Sequence, residues 1–267
     1  MLKPWVAHYE PGVPPTLEYP AVTLHGLLEQ TAERYPERLA TIFLGAKLPY
    51  RALNEAANRF AHALLNLGLK QGDRVALMLP NCPQFLIAFY GALKAGAVVA
   101  AMNPLYPPRE LEYQLNDAEA ETLVTLSKFY PTVEAVRRKT ALQRVIVTNI
   151  KEYLPMARRT LFTLFKERKE GHRVSLRRDA PTHWFQGLLA APRTSSTPAI
   201  AVDPSAAALL QYTGGTTGTP KGAALQHGGL VAQHVEHGRA GHARDHRHRR
   251  QRQRDRRQHQ VVQRAGP

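Results

Sequence analysis

Cysteine is almost missing. Cys82 is the only one in 267 residues, which excludes an intramolecular disulfide framework and a zinc site built on several thiolates. This scarcity fits a reducing, cytoplasmic setting. Acidic residues are also scarce: 21 Asp and Glu face 36 Lys and Arg, a formal net charge of +15. No apolar run is long enough to read as a transmembrane helix. The most apolar window, residues 85–102, is broken by Gly91, Lys94 and Gly96 and reads as a buried helix followed by a buried strand. The start, Met1-Leu2-Lys3-Pro4-Trp5, leads into prolines and acids, so no secretory signal is expected. Beyond Leu230 there is no Leu, Ile, Phe, Trp, Tyr or Met.

What remains is ordinary for a globular protein: 43% hydrophobic and 21% charged residues, enough to bury a core and to exclude wholesale disorder. The positive charge is concentrated. Residues 231–267 carry ten Arg and three acids, and residues 137–178 carry thirteen Lys and Arg and three acids, so the rest is close to neutral. A near-neutral body with two basic segments does not have the footprint of a nucleic-acid-binding domain.

Helix and strand signals alternate. Thr23 is placed to cap a helix through Leu24, Leu27, Leu28 and Ala32, ended by Pro36. Residues 39–43 read as a short strand. Leu53, Ala57, Phe60, Ala61 and Leu64 form one face of an amphipathic helix stopped by Gly68. Strands are expected at 75–79, 97–102, 122–126, 144–148 and 206–212, with helices between the earlier ones. Near-continuous apolar strands separated by helices imply parallel βαβ units and a sheet covered on both faces. The expected fold is therefore α/β, a doubly wound, mainly parallel sheet.

Residues 150–178 interleave Leu161, Phe162, Leu164 and Phe165 with Arg158, Arg159, Lys166, Arg168 and Lys169. The plainer expectation is a solvated helix packed on the body. The sharper one is a basic amphipathic segment lying on an anionic membrane surface. Residues 192–205, rich in Pro, Ser, Thr and Ala, read as a surface linker. From Gln233 the chain is an Arg/His/Gln-rich tail, which cannot bury enough apolar surface to offset its ordering entropy and is expected to be disordered. Six of the twelve histidines lie there, without cysteine and with nothing to fix a metal geometry.

The stretch richest in chemistry is Tyr212-Thr213-Gly214-Gly215-Thr216-Thr217-Gly218-Thr219-Pro220-Lys221-Gly222. Its glycines let backbone N–H groups surround an anion, its threonine hydroxyls can donate to phosphate oxygens, and Lys221 adds a positive charge. The pattern suits a polyphosphate. It is not a Walker A loop, because Pro220 precedes Lys221 and Gly222 follows it, and it is not a dinucleotide fingerprint.

This loop resembles the phosphate-binding signature of the adenylate-forming (AMP-binding) superfamily, which includes acyl-CoA synthetases, firefly luciferase and peptide-synthetase adenylation domains. Gly at 214, with Leu-Gln-Tyr before the loop, is most similar to bacterial long-chain fatty-acid–CoA ligases. Gly72-Asp73-Arg74-Val75-Ala76 leading to Leu79-Pro80-Asn81, and Leu93-Lys94-Ala95-Gly96-Ala97 continuing to Asn103-Pro104-Leu105-Tyr106, match further family segments. The resemblance runs from about Trp5 to Val231, so residues 1–232 are expected to be the N-terminal part of such a domain and 233–267 a tail.

The resemblance implies a two-step reaction. A fatty carboxylate attacks the α-phosphate of ATP, and coenzyme A then displaces AMP from the acyl-adenylate. Thr213, Gly214, Gly215, Thr216, Thr217, Gly218 and Lys221 match the loop that holds the phosphates, with Mg2+ bridging them and Thr213 the candidate contact to the metal. The family's later motifs are an adenine-binding segment, a Glu for magnesium, an Asp for the ribose and a lid Lys. They do not occur in these 267 residues, so the chain alone is expected to be inactive. His227, just after the loop's strand, is expected to cap or pack rather than catalyse. The rival reading is a non-enzymatic basic protein that binds nucleic acid or membrane through its basic segments, with no specific nucleic acid partner.

Overall fold

A computed structural model describes residues 4–10, 16–177, 181–192, 194–213 and 220–235. The chain divides into two units, residues 22–227 and residues 1–21 with 228–267. The second unit contributes a 3-10 turn, Pro4–His8, and the continuation to residue 235 of a helix that begins at His227. That helix passes the composition change at Gln233 by three residues. The rest of the expected disordered tail lies outside the described residues.

In the larger unit, five of the expected strands form as β3 (Arg74–Met78), β4 (Val98–Ala101), β5 (Thr122–Leu126), β6 (Arg144–Thr148) and β8 (Ala207–Thr213). With β7 (Thr182–Trp184) and β9 (Lys221–Gln226) they make a seven-stranded sheet in the order β7-β6-β5-β3-β4-β8-β9. Every neighbouring pair is parallel except β8–β9. The sheet winds outward from β3 in both directions, as the alternating pattern requires. A separate antiparallel hairpin, β1 (Leu39–Phe43) with β2 (Ala46–Pro49), lies outside it. The sequence reading did not anticipate β2, β7 or β9.

Both faces of the sheet are covered. α4 (Pro108–Asp117) and α5 (Tyr130–Arg137) bury Leu111, Leu115 and Val133 against Ala76, Met78, Leu123 and Val145. The alternate strand residues Val75, Leu77, Val124 and Ile146 are equally buried. The helices on that side are α1 (Leu24–Arg34), α2 (Tyr50–Asn66), α3 (Pro83–Lys94) and α7 (Phe185–Ala190). Thr23 caps α1 as expected, its hydroxyl accepting from the Gly26 N–H at 3.2 Å. α2 and α3 approach so closely that a Cβ on Gly91 would lie 2.8 Å from the Phe60 ring and 2.9 Å from the Ala57 carbonyl oxygen. Phe60 in turn stacks obliquely on Phe185, with centroids 4.8 Å apart.

Lys94 interrupts the apolar window in sequence, and its side chain is fully buried. Its ammonium donates to Glu29 at 2.5 Å and to Asn54 at 2.9 Å, tying α3 to α1 and α2. A buried ammonium is tolerated only with such partners.

Candidate functional site

The glycine- and threonine-rich loop is the connection of the β8–β9 hairpin. Thr213 and Lys221 face each other in register, as do Tyr212 with Gly222 and Gln211 with Ala223. Gly214, Gly215, Thr216, Thr217 and Gly218 lie outside the described residues, as does the side chain of Thr213. The backbone of Thr213 and the exposed Lys221 thus mark the two feet of the loop. Because β8 runs parallel to β4, with Ala101 opposite Gln211, the loop leaves the sheet at the carboxyl ends of the parallel strands. Ligands of open α/β sheets bind at that end.

Two other motif segments end at the same place. Leu79-Pro80-Asn81 follows β3, and Asn103-Pro104-Leu105-Tyr106 follows β4. There Asn103 folds the chain over by accepting from the Leu105 N–H at 3.0 Å. Three segments separated widely in sequence are therefore neighbours along one rim, on the adjacent strands β3, β4 and β8.

Helix α4 holds both feet of the loop. Tyr113 donates its hydroxyl to the Pro220 carbonyl at 3.1 Å. One turn later Asp117 accepts from the Tyr212 hydroxyl at 2.6 Å. Burial first, and then the neighbouring Asp117 carboxylate, push the Tyr212 phenol upward, so it remains a donor. Gly222 lies opposite it with little room to spare: a Cβ there would sit 3.1 Å from the Tyr212 ring and would press the ring aside. Gln114, between the two anchors, is fully buried, and neither atom of its amide has a partner among the described residues. None of these α4 residues stood out in the sequence. Tyr113 and Asp117 at i and i+4 look like the solvent face of an amphipathic helix, and nothing local signals that strand β8 will cover them.

His227 closes β9. Its Nδ1 accepts from the Leu24 N–H at 3.2 Å, so a distant residue satisfies one of the orphan donors of α1. The His25 ring stands edge-on to it at 5.5 Å. Burial first, then the charges of His227 and Lys94, depress His25 to about 4. This is packing and capping, as expected for His227. Cys82, buried before α3, is pushed up to about 11 by burial and has no thiolate character at neutral pH. Among the described residues, no group of three or more His, Cys, Asp or Glu is arranged to hold a metal, and no helix is long and apolar enough to cross a membrane.

The AMP-binding enzyme family matches residues 28–257. The chain is 38% identical over 231 residues to a long-chain-fatty-acid–CoA ligase of Bacillus subtilis, covering 86% of this chain and 41% of the relative. It is 38% identical over 240 residues to the enzyme of the same name from Escherichia coli O157:H7, covering 87% and 42%. Among solved structures, a long-chain-fatty-acid-CoA ligase from Archaeoglobus fulgidus is similar at 27% identity with a TM-score of 0.65, over 84% of this chain and 40% of that one. An anthranilate CoA ligase solved with anthranoyl-AMP shares the fold at 22% identity, with a TM-score of 0.63 over 79% and 36%. The chain spans about two fifths of the length of the curated relatives it matches. A loop of this composition at the carboxyl rim of such a sheet, together with a family match over most of the length, places the chain in the AMP-binding enzyme family.

Proposed function

We propose that this chain carries the phosphate-gripping part of an ATP-dependent acid–thiol ligase acting on long-chain fatty acids. The observation that carries the reading is the β8–β9 hairpin, whose Thr213 and Lys221 frame the Gly/Thr loop at the carboxyl ends of the parallel strands. Backbone N–H groups of Gly214, Gly215 and Gly218, with the hydroxyls of Thr216 and Thr217, would grip the β- and γ-phosphates, and Lys221 would offset charge as it develops on pyrophosphate. Mg2+ supplies charge neutralisation between phosphates when bound, with Thr213 its candidate contact. The fatty carboxylate is a poor electrophile, and transfer to AMP gives it a good leaving group for the coenzyme A thiol to displace. The substrate class follows from relatives named as long-chain-fatty-acid–CoA ligases.

The same reading makes the protein cytoplasmic and peripheral at the inner face of the membrane, because a long-chain fatty acid partitions into the bilayer. Contact through residues 150–178 belongs to it. The rival, a non-enzymatic basic protein with nucleic acid as partner, gains nothing from the fold or the family.

Calorimetric titration of the 267-residue chain with ATP and Mg2+ tests the reading. Weak binding is expected, and Lys221→Ala should weaken it about tenfold, as for loss of one charge-assisted phosphate contact. Absence of any nucleotide binding would overturn it. These residues are expected to release no pyrophosphate with fatty acid, because groups acting as a unit fail together. Fatty-acid-dependent release that disappears in Lys221→Ala would refute that expectation.

A further inference from the structure

The inward face of α4 carries one residue that breaks its composition. Leu111, Gln114, Leu115 and Ala118 recur at i, i+3, i+4 and i+7, the spacing of a single buried stripe, and none is more than 2% exposed. Three of the four are apolar and belong to the core cluster that also holds Ala76, Met78, Leu123 and Tyr212. The fourth is an amide.

Polar side chains are buried on other helices too, and each makes at least one hydrogen bond. On α1 the His25 ring meets the Thr23 hydroxyl at 3.1 Å. Asn58 of α2 donates to the Ser195 carbonyl at 2.7 Å, and Gln84 of α3 to the Asn149 carbonyl at 3.1 Å. Arg137 of α5 donates to the Gln143 carbonyl at 2.8 Å. α6 (Met156–Leu161) buries no residue. Among the described residues, Gln114 is the one buried amide with neither its oxygen nor its nitrogen engaged. A buried polar group without a partner destabilises the fold, and an apolar side chain of similar volume would fill the position without that penalty.

The neighbours of Gln114 are the residues that hold the phosphate loop. Tyr113, on one side, donates to the Pro220 carbonyl, and Asp117, one turn beyond Tyr113, accepts from the Tyr212 hydroxyl. The main-chain carbonyl of Gln114 itself lies 3.4 Å from that hydroxyl. Gln114 therefore stands beside the foot at Tyr212. A side-chain amide offers a donor next to an acceptor, the same pair as a peptide unit, so main chain is its natural complement. The feet of the hairpin bring main chain within reach of α4, as the bond from Tyr113 to Pro220 shows.

We propose that Gln114 is a positioning residue of the nucleotide site. When phosphates are held between the feet, its amide pairs with the hairpin main chain beside Tyr212 and fixes the hairpin against α4, as a third anchor between Tyr113 and Asp117. A contact made only in the loaded state adds to affinity, whereas one made in both states adds nothing. Local strain of this kind is kept where function uses it. This role rests on the phosphate-binding reading of the loop and extends it to a residue that does not touch phosphate.

The test is calorimetric titration with tripolyphosphate, and with ATP and Mg2+, of the 267-residue chain and of Gln114→Met, which keeps length and volume and removes both hydrogen-bonding atoms. The variant is expected to melt about 2–4 °C higher, because an unsatisfied buried amide is gone. It should bind either ligand about fivefold to tenfold more weakly. A merely structural glutamine would move stability and affinity in the same direction. A Gln114→Met protein that is less stable than its parent, or that binds tripolyphosphate as tightly, would overturn the proposal. A second measurement needs no substitution: the side-chain NH2 resonances of Gln114 should shift, and exchange with solvent more slowly, once tripolyphosphate is added. Resonances that stay where they were would overturn it as well. Failure of the unaltered chain to bind tripolyphosphate or ATP removes the phosphate reading and this role together, whereas full binding by the variant removes only the role of Gln114.

Discussion

Strands β5 and β9 belong to one sheet and are built on different terms. All five residues of β5 are buried, and both its neighbours are parallel strands. β9 is Lys-Gly-Ala-Ala-Leu-Gln, exposed along nearly its whole length and paired, among the described residues, with β8 alone. The centre of the sheet is held by side-chain burial and the edge by backbone pairing plus a few anchors from α4. Functional loops sit at the less stable end of a structure, because a loop that must admit a ligand cannot also be packed shut. Here the division follows the sheet from its middle to its rim.

The largest effect that would sharpen this contrast is expected in the buried helix layer on the sheet, where α2 packs on α3 and α7. Phe60→Ala removes a fully buried ring that fills the space beside Gly91 and Phe185, and should cost about 3–5 kcal/mol in denaturant unfolding. A loss below about 1 kcal/mol, the size of a surface effect, would break the comparison.

Acid should act next, through α1. His25 is neutral when folded, held to about 4 by burial, His227 and Lys94, against about 6.5 when unfolded. Above pH 6.5 both states are neutral and the group contributes nothing. As pH falls from about 6.5 to 4 the unfolded chain takes up the proton first, and stability should drop by about 3 kcal/mol. His25→Gln should flatten that part of the stability–pH curve, and parallel curves for the two proteins would refute the assignment.

Tyr212→Phe deletes the donor to Asp117 at the loop's foot and should cost about 1–2 kcal/mol. It should also weaken nucleotide binding, whereas Phe60→Ala, if it remains folded, should leave the loop's affinity nearly intact. The smallest effect on stability belongs to Lys221→Ala, within about 0.5 kcal/mol for an exposed edge position, although it touches nucleotide binding most directly. A strongly destabilised Lys221→Ala protein would show that the edge is not the permissive region described.

The same contrast governs what the sequence disclosed. Apolar runs such as Thr122–Leu126 and Arg144–Thr148 could be read to the residue, because a strand buried on both faces has no other composition open to it. β9 escaped notice because an exposed Gly/Ala strand has neither alternation nor bulk, and three-residue β7 is too short for a period. The loop was visible because its glycines are chemically unusual. Its anchors Tyr113 and Asp117 were not, since their partners arrive from a strand some hundred residues later. Leu44 was passed over as part of a turn at Gly45, and only backbone angles reveal that it is a leucine in a glycine-like conformation.

The pairing of β8 with β4 has a consequence for how the protein is made. Val99 lies opposite Leu209, so the two strands meet only after more than a hundred intervening residues have been synthesised. Closing so long a span gains no contact until it is complete, and non-local pairings of this kind are the slow step of assembly. Strands β3 to β6 can associate on a growing chain, each with a partner already made. The hairpin carrying the phosphate loop must wait and then dock on a finished edge at β4. A nascent chain paused before Ala207 therefore presents β4 as an open, apolar edge, the natural point for a chaperone to hold and for a misfolding event to begin.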